Sequence, residues 1–486
     1  MRICPSGFRE YDARWRYPDD IDLEGMIAVG MGFGTQVARR NVGRKVIVGH
    51  DHRSYSSAVK DALSDGLVQT GAQVCDIGMC LSPMAYFAQF HLDMSAVAMV
   101  TASHNPNGWT GIKVGFDRPC THGMYEMTEL RDLILNRDFD LVSGGRIDVV
   151  TAISDAYLDD LTAIATISRP LRVVCATGNG TAGAFAPELL RRLGIDVVER
   201  HCQLDHSFPH YNPNPEALEM LDDMGVAVRE SGADFGIGLD GDGDRLGIVD
   251  EIGSAVFADK LGLLLARDLA ATRPGAHFLV DVKSTGLFAI DPFLSSVGAT
   301  VEYCKTGHSH VKQRIRASGA LAAFEKSGHI YFGSPVGRGY DCALRAAVAL
   351  CHLMERQSNM RLSDLVGGLP SSWCTPTLSP ACPDDQKYGV VERLTNVFRQ
   401  MKRRGETIAG QKITKILTAN GARVQLENGA WALVRASSNT PNLVVVCESF
   451  ESNAHLQDVF TDFDRVLRQE PVLGEYDHSF VAQNQM

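Results

Sequence analysis

Short apolar runs that break straight into polar loops, with amphipathic helices between them, constrain this chain more than any other feature. Lys45 to Gly49 reads as a strand, Ser56 to Thr70 as a helix burying Ala58, Val59, Ala62, Leu63 and Leu67, and Gln73 to Ile77 as the next strand. The same grammar returns after Leu171: strand Val173 to Ala176, a glycine-rich turn, a helix through Leu190 to Leu193, and strand Asp196 to Glu199. A third unit follows, with helix Asp259 to Leu269 and strand Phe278 to Val282. Strands alternating with helices imply α/β layers, and such sheets place ligands where strands end in loops.

Two of those loops carry chemistry. The apolar run Ala96 to Val100 ends in Thr101-Ala-Ser-His-Asn-Pro106, which offers Ser103 as a hydroxyl nucleophile; a plain polar turn with capping Ser and Asn is the alternative. Phe235 to Leu239 ends in Asp240-Gly-Asp-Gly-Asp-Arg245, with carboxylates at every second residue. Converging carboxylates require a cation, and an oxygen-only set suits Mg²⁺, with a position left open for phosphate or water; a surface acidic loop with no metal is the alternative. A calcium loop also fits Asp240, Asp242, Asp244 and Glu251, but it needs glycine where Arg245 stands, and Leu246 to Val249 continues as a strand.

The 486 residues, 45% hydrophobic, suffice for about three or more domains. A net charge of -11 argues against nonspecific nucleic-acid binding, so an anionic ligand needs locally basic pockets. Twelve cysteines without a CxxC pair indicate neither zinc nor a disulfide framework and fit a reducing cytoplasm. No signal core or membrane span is expected.

Several other segments are ambiguous alone. Tyr11 and Arg14 lie on a strand or loop near the start, and Asp51 and Arg53 read as a turn with a helix cap. Lys113, on a strand returning from the Ser103 loop, would ordinarily be a solvated edge lysine. Gly178-Asn-Gly-Thr-Ala-Gly183 matches a dinucleotide fingerprint, although any tight strand-to-helix turn uses the same glycines. His206 to Pro215 is a proline-broken crossover before a helix from Pro215 to Met224, and Lys283 ends a strand. Thr306 to Ser309, with His308, is another polar loop after a strand. Phe324-Glu-Lys-Ser-Gly-His329 offers Glu325, Ser327 and His329 to sugar hydroxyls, and helix Asp341 to Met354 should pack beneath it. The stretch from Gly367 to Pro383, rich in Pro, Ser and Gly, reads as a linker. Beyond it come a hairpin (Arg423 to Leu426, Trp431 to Val434), the polar loop Arg435 to Thr440, strand Leu443 to Cys447 and helix Asn453 to Leu467. An arginine among short hydroxyl and amide side chains suits phosphate.

With these loops in order, the chain resembles the α-D-phosphohexomutase superfamily, most closely its phosphomannomutase/phosphoglucomutase group, over nearly its whole length. The resemblance implies three similar mixed α/β domains around a central cleft (1–150, 151–254 and 255–368) and a smaller, mobile α+β domain (369–486). It implies that Ser103 is carried as phosphoserine and that its phosphate, Asp240, Asp242 and Asp244 hold Mg²⁺. Lys113 and His329 become acid/base groups, which reverses the solvated reading of Lys113. Arg245 offsets charge, and His104 is a further catalytic contact. Tyr11, Arg14, Lys283, His308, Glu325, Ser327, Arg435, Ser437, Ser438 and Asn439 are the implied substrate contacts. The implied reaction moves phosphate between the 1 and 6 positions of mannose or glucose through a bisphosphohexose, with hexose 1,6-bisphosphate as activator. Phosphoglucosamine mutase, a phosphatase and a non-catalytic sugar-phosphate-binding protein are the alternatives. The expected setting is the cytoplasm, as a monomer or weak dimer, with sugar phosphates and no nucleic acid or membrane as partners. Three positions depart from the family pattern: Trp15 where Gly is usual, Lys326 where Met is common, and Ser438-Asn439 where Asn-Thr is usual.

Overall fold

A computed structural model describes residues 1–163 and 167–477. The chain forms two compact units: Met1–Leu265 with His308–Leu365, and Ala266–Gly307 with the residues from Val366 onward. Among the described residues no helix is long and apolar enough to cross a membrane.

The first region runs β1 (Ala13–Arg16), α1 (Leu23–Arg39), β2 (Lys45–His50), α2 (Ser56–Gln69), β3 (Gln73–Met79), α3 (Ser82–His91), β4 (Ala96–Val100), β5 (Trp109–Gly115), α4 (Met124–Asn136) and β6 (Arg146–Val149). Its six strands lie in the order β1-β5-β4-β2-β3-β6. Parallel pairing of β2 with β3 and β4, and antiparallel pairing of β5 with β4 and β1, make the sheet mixed. The strand carrying Lys113 therefore lies inside the sheet, and Lys113 is 1% exposed, which corrects the edge-strand expectation.

The second region comprises α5 (Ile153–Thr162), β7 (Arg172–Ala176), α6 (Ala186–Arg192), β8 (Asp196–Arg200), α7 (Leu218–Ser231), β9 (Phe235–Leu239), β10 (Leu246–Asp250) and β11 (Ala255–Val256). Its sheet is ordered β11-β10-β9-β7-β8, parallel through β7 and antiparallel from β9 to β11. α7 begins at Leu218 rather than Pro215. Asn214 holds a turn there, accepting from the Glu216 amide through its side chain (3.2 Å) and from the Ala217 amide through its carbonyl (2.9 Å).

The third region contains α8 (Ala258–Thr272), β12 (His277–Asp281), α9 (Leu287–Ile290), α10 (Pro292–Ser296), β13 (Thr300–Cys304), α11 (His308–Ser318), β14 (Ala322–Phe324), β15 (Ile330–Phe332), α12 (Ala343–Arg356) and α13 (Leu362–Gly367). The parallel pair β12/β13 belongs to the second unit, and the antiparallel pair β14/β15 to the first.

The last region holds β16 (Trp373–Cys374), α14 (Lys387–Arg404), β17 (Thr407–Ile408), β18 (Gln411–Leu417), β19 (Ala422–Leu426), β20 (Trp431–Ala436), β21 (Leu443–Ser449) and α15 (Asn453–Leu467). Its antiparallel sheet runs β16-β21-β20-β19-β18-β17, and Val390, Leu394, Phe398, Val459 and Phe463 cover one face. The stretch from Gly367 to Pro383 is not a free linker. Thr375 and Leu378 donate to the Cys447 and Val445 carbonyls at 2.9 and 3.0 Å, and Leu378 is fully buried. Its prolines forfeit donors only at their own positions, so the residues between them can still cover the edge of β21.

In the first sheet, α1 and α2 touch backbone to backbone. A Cβ on Gly66 would lie 2.0 Å from the Ile27 carbonyl, and one on Gly30 would lie 2.1 Å from the Leu63 carbonyl. Neither helix can yield without disturbing the buried Val29, Phe33, Leu63 and Leu67. Gly66→Ala should therefore destabilise the first unit by about 2 kcal/mol or more; a lowered thermal midpoint is the expected outcome, and an unchanged one would refute the contact.

Candidate active site

Ser103 leaves β4 in the left-handed region, at φ 52°. A non-glycine residue holds that conformation at a cost of about 1–2 kcal/mol and needs support from its surroundings. Thr101 Oγ1 accepts from the Ser103 amide at 2.8 Å, and Arg53 donates to the Ser103 and Asn105 carbonyls at 3.0 and 2.6 Å. Arg53 is itself paired with buried Asp51, which accepts from Ser56 Oγ at 2.5 Å and from the Ala102 amide at 3.3 Å. Asp51 and Arg53 thus form the expected turn, and they also brace the nucleophile loop.

The Ser103 hydroxyl donates to Asp240 Oδ2 at 3.0 Å and lies 3.3 Å from His104 Nδ1. The acidic loop comes this close because Gly241 has no side chain: a Cβ there would lie 2.4 Å from the Ser103 carbonyl oxygen. Asp240 Oδ1 accepts from the Asp244 and Arg245 amides at 3.0 and 3.1 Å, which closes the loop on itself.

Asp240, Asp242 and Asp244 are fully buried, and one oxygen from each lies within 4.8 Å of the others. Lys113 Nζ donates to Asp242 Oδ2 at 2.6 Å and Asp244 Oδ2 at 2.5 Å, and Ser82 Oγ donates to Asp242 Oδ2 at 2.5 Å. Burial works against the ammonium, but the two carboxylates hold the Lys113 pKa well above its usual value. Burial likewise opposes ionisation of Asp242 and Asp244, and Lys113 overcomes it so that both titrate low. Asp240 lacks that partner; burial, then Asp244 and Asp242, push it well above the usual carboxylate range.

Asp242 Oδ1 and Asp244 Oδ1 are buried without a hydrogen-bond partner. Orphaned carboxylate oxygens that a single ammonium leaves unsatisfied fit a hard cation.

The cluster continues into the third region. Arg245 Nε donates to His329 Nε2 at 3.0 Å, and its Nη1 donates to Glu216 Oε2 at 3.1 Å. The other ring nitrogen, Nδ1, lies 3.0 Å from Asp341 Oδ2. Asp341 Oδ1 lies 2.8 Å from Lys312 Nζ, which sits 3.7 Å from the centre of the Tyr86 ring. Burial lowers the pKa of Lys312 against the pull of Asp341. The imidazoles of His104 and His308 are kept neutral, chiefly by burial and then by nearby cations. His308 lies 4.8 Å from Tyr11 edge to face, and Arg14 is tied to Asp12 at 2.8 Å. Trp15 turns inward, donating to the Cys4 carbonyl at 2.9 Å. Glu325 accepts from Tyr331 OH at 2.6 Å, while Lys326 Nζ lies 4.5 Å above the Phe257 ring and 3.8 Å from Asp259. Ser327, the next residue of the loop, is buried.

In the second unit, Arg435 is the penultimate residue of β20 rather than part of a loop, and donates to the Ala436 carbonyl at 2.8 Å; its Nε is buried with no hydrogen-bond partner among the described residues. Ser437 Oγ shares a hydrogen bond with Thr440 Oγ1 at 2.7 Å and accepts from the Asn439 and Thr440 amides at 3.4 and 3.3 Å. Ser438 lies between them, largely buried, and Lys283 lies just beyond β12, 5% exposed.

Sequence reasoning passed over Ser82, Asp341, Lys312 and Glu216. Ser82 had one legible signal, a Ser-Pro opening a helix after a strand. The others are ordinary polar residues whose partners are remote in sequence. The glycine-rich match at 178–183 is a tight turn, with Gly178 at φ 51° and the Thr181 amide donating to the Gly241 carbonyl at 3.2 Å, so it supports the acidic loop.

Family descriptions match along the chain in order: phosphoglucomutase/phosphomannomutase alpha/beta/alpha domain I at residues 5–140, domain II at 155–253, domain III at 257–372, and the C-terminal domain at 381–466. The phosphomannomutase/phosphoglucomutase of Pseudomonas putida is 33% identical over 469 residues, 96% of each chain. A crystal structure of a phosphoglucomutase/phosphomannomutase family protein from Burkholderia thailandensis superposes with a TM-score of 0.86 at 29% identity, covering 98% of this chain and 100% of the other. Aspergillus fumigatus N-acetylphosphoglucosamine mutase, solved with GlcNAc-6P and magnesium, shares the fold at a TM-score of 0.61 and 13% identity, over 96% of each chain. Four domain matches in order over an aspartate cluster suited to a metal mean that this chain belongs to the phosphoglucomutase/phosphomannomutase family and is a phosphohexomutase.

Proposed function

We propose that the protein interconverts the 1- and 6-phosphates of mannose and of glucose through a phosphate carried on Ser103. The observation behind this reading is the hydroxyl of Ser103, held in a strained turn and hydrogen-bonded into a buried trio of carboxylates. Asp240, Asp242 and Asp244, with an oxygen of the Ser103 phosphate, would hold Mg²⁺, which when bound offsets charge on the transferring phosphoryl group.

The chain's own groups do the rest. A sugar hydroxyl attacks the phosphorus as the bond to Ser103 Oγ breaks. His329, whose Nδ1 lies 3.0 Å from Asp341 Oδ2, accepts the hydroxyl proton. Lys113, held charged, returns a proton to Ser103 Oγ, and Arg245 and His104 lie against the same centre. The bisphosphate then turns over and the reverse sequence restores Ser103, with hexose 1,6-bisphosphate priming enzyme that has lost its phosphate.

Glu325 and Ser327 grip ring hydroxyls remote from the anomeric carbon, where mannose and glucose are alike, so both turn over. The distal phosphate falls to Arg435, Ser437, Ser438 and Asn439, with Lys283, Tyr11, Arg14 and His308 as further contacts. Turnover of mannose 1-phosphate and glucose 1-phosphate at comparable rates, with glucosamine 1-phosphate slower and little phosphate released to water, is the expected pattern. Fast glucosamine 1-phosphate turnover or rapid phosphate release would replace this specificity with one of the alternatives.

After exposure to glucose 1,6-bisphosphate, peptide mapping should find phosphate on Ser103, and Ser103→Ala should lose on the order of 10³-fold or more in mutase rate. Phosphate found only at other residues would overturn the carrier assignment. A charge-assisted arginine–phosphate contact is worth about 1.5–3 kcal/mol, so Arg435→Ala should weaken substrate binding about ten- to a hundredfold while Ser103 is still phosphorylated. Unchanged substrate affinity in steady-state kinetics would move the distal phosphate to another loop.

A further inference from the structure

The second unit buries two charges that the reaction does not use. Arg423, on β19, is fully buried, and its Nη1 donates to the carbonyls of Val282 and Ser284, both at 2.7 Å. Its guanidinium lies 3.5 Å from the Trp431 ring centre and 4.2 Å from that of Tyr303, and its Nη2 lies 3.4 Å from Tyr303 OH. Glu448, on β21 and 1% exposed, accepts from Thr285 Oγ1 at 2.6 Å, the Gly286 amide at 2.7 Å and Trp431 Nε1 at 2.6 Å. Val282 packs with Trp431, Leu433, Val444 and Val446. Every residue of the 282–286 turn except Lys283 is thus gripped by the C-terminal sheet, and Lys283 lies between the two carbonyls that Arg423 holds.

We propose that Arg423 and Glu448 are positioning residues that set the Lys283 loop against the sheet that also carries Arg435. The two charges suit that work better than apolar packing would. One guanidinium nitrogen meets both carbonyls while the planar group lies against the Trp431 and Tyr303 rings, which fix its direction as a non-planar ammonium on a flexible stem would not be fixed. A carboxylate accepts from three donors at once. Trp431, four residues along β20 from Arg435, touches both clamp residues, so one rigid sheet fixes the Lys283 turn and the Arg435 end of the strand. The cost of burying these charges is met by hydrogen bonds to groups of the 282–286 turn, with Trp431 and Tyr303 adding one each, rather than by each other, so each depends largely on the loop for its partners. The inference rests on the assignment of Lys283 to substrate.

The test is a double-mutant cycle on the full-length phosphorylated enzyme, read by steady-state kinetics and by hydrogen exchange at residues 283–287. Arg423→Lys keeps the charge but loses the planar group that Trp431 and Tyr303 hold aimed at the two carbonyls. Glu448→Gln keeps the shape but turns an amide donor toward a donor. Each should raise KM about tenfold with kcat within about twofold, the loss expected for one charge-assisted contact, and should speed exchange in the loop at a nearly unchanged thermal midpoint. In a Lys283→Ala background neither should raise KM further. If Lys283→Ala raises KM but the clamp variants do not, or if their effects multiply in full, the positioning role is overturned and the Lys283 assignment stands. If Lys283→Ala itself leaves KM unchanged, that assignment fails and the inference falls with it, even where exchange shows a loosened loop.

Discussion

The site depends on one buried ammonium. Lys113 lies between Asp242 and Asp244, and the groups around it are arranged on that charge. Taking three carboxylates out of water costs several kcal/mol each unless they are paired, and one lysine can satisfy only two of them. The third, Asp240, is left to hydrogen-bond the nucleophile and two backbone amides, with its pKa driven upward by burial and its neighbours. A trio made of two fixed charges and one reluctant one is preorganised for a cation without the repulsion of three bare anions.

That arrangement also explains why the first two regions meet where they do. Ser82, opening α3, contacts Asp242 through both its amide, at 3.0 Å to the carbonyl, and its hydroxyl. Gly241 lets the acidic loop close on Ser103, and Asp51 with Arg53 holds Ser103 in a conformation it would not otherwise keep. The second unit uses the same device for a different end. There a buried arginine and glutamate take groups of the 282–286 turn as partners and so fix a loop rather than a metal site.

Much of this was legible in the residues. The strand-to-loop breaks located Ser103 and the three aspartates, and helix Asn453–Leu467 ends where its periodicity ends. Where the reading failed, the missing information was tertiary. Lys113 looked solvated because a lone strand does not reveal that a neighbour from the N-terminus, β1, will cover it. The stretch from Gly367 to Pro383 looked like a linker because composition does not show which donors find β21. Asp341 and Lys312 were invisible because their meaning lies in each other and in His329, and no periodicity encodes a buried pair. Arg423 was read only as the start of a hairpin strand, its hydrogen-bond partners being more than a hundred residues away.

The claim that Lys113 is the internal counter-ion of a cation site can be tested directly with Lys113→Met, which removes the charge and keeps most of the volume. Breaking a buried pair from one side costs about 3–5 kcal/mol. The variant's thermal midpoint in chelator should therefore fall by several degrees, and millimolar Mg²⁺ should restore more of it than it adds to the wild type. A variant that melts with the wild type in chelator, and gains no more from Mg²⁺, would contradict the account.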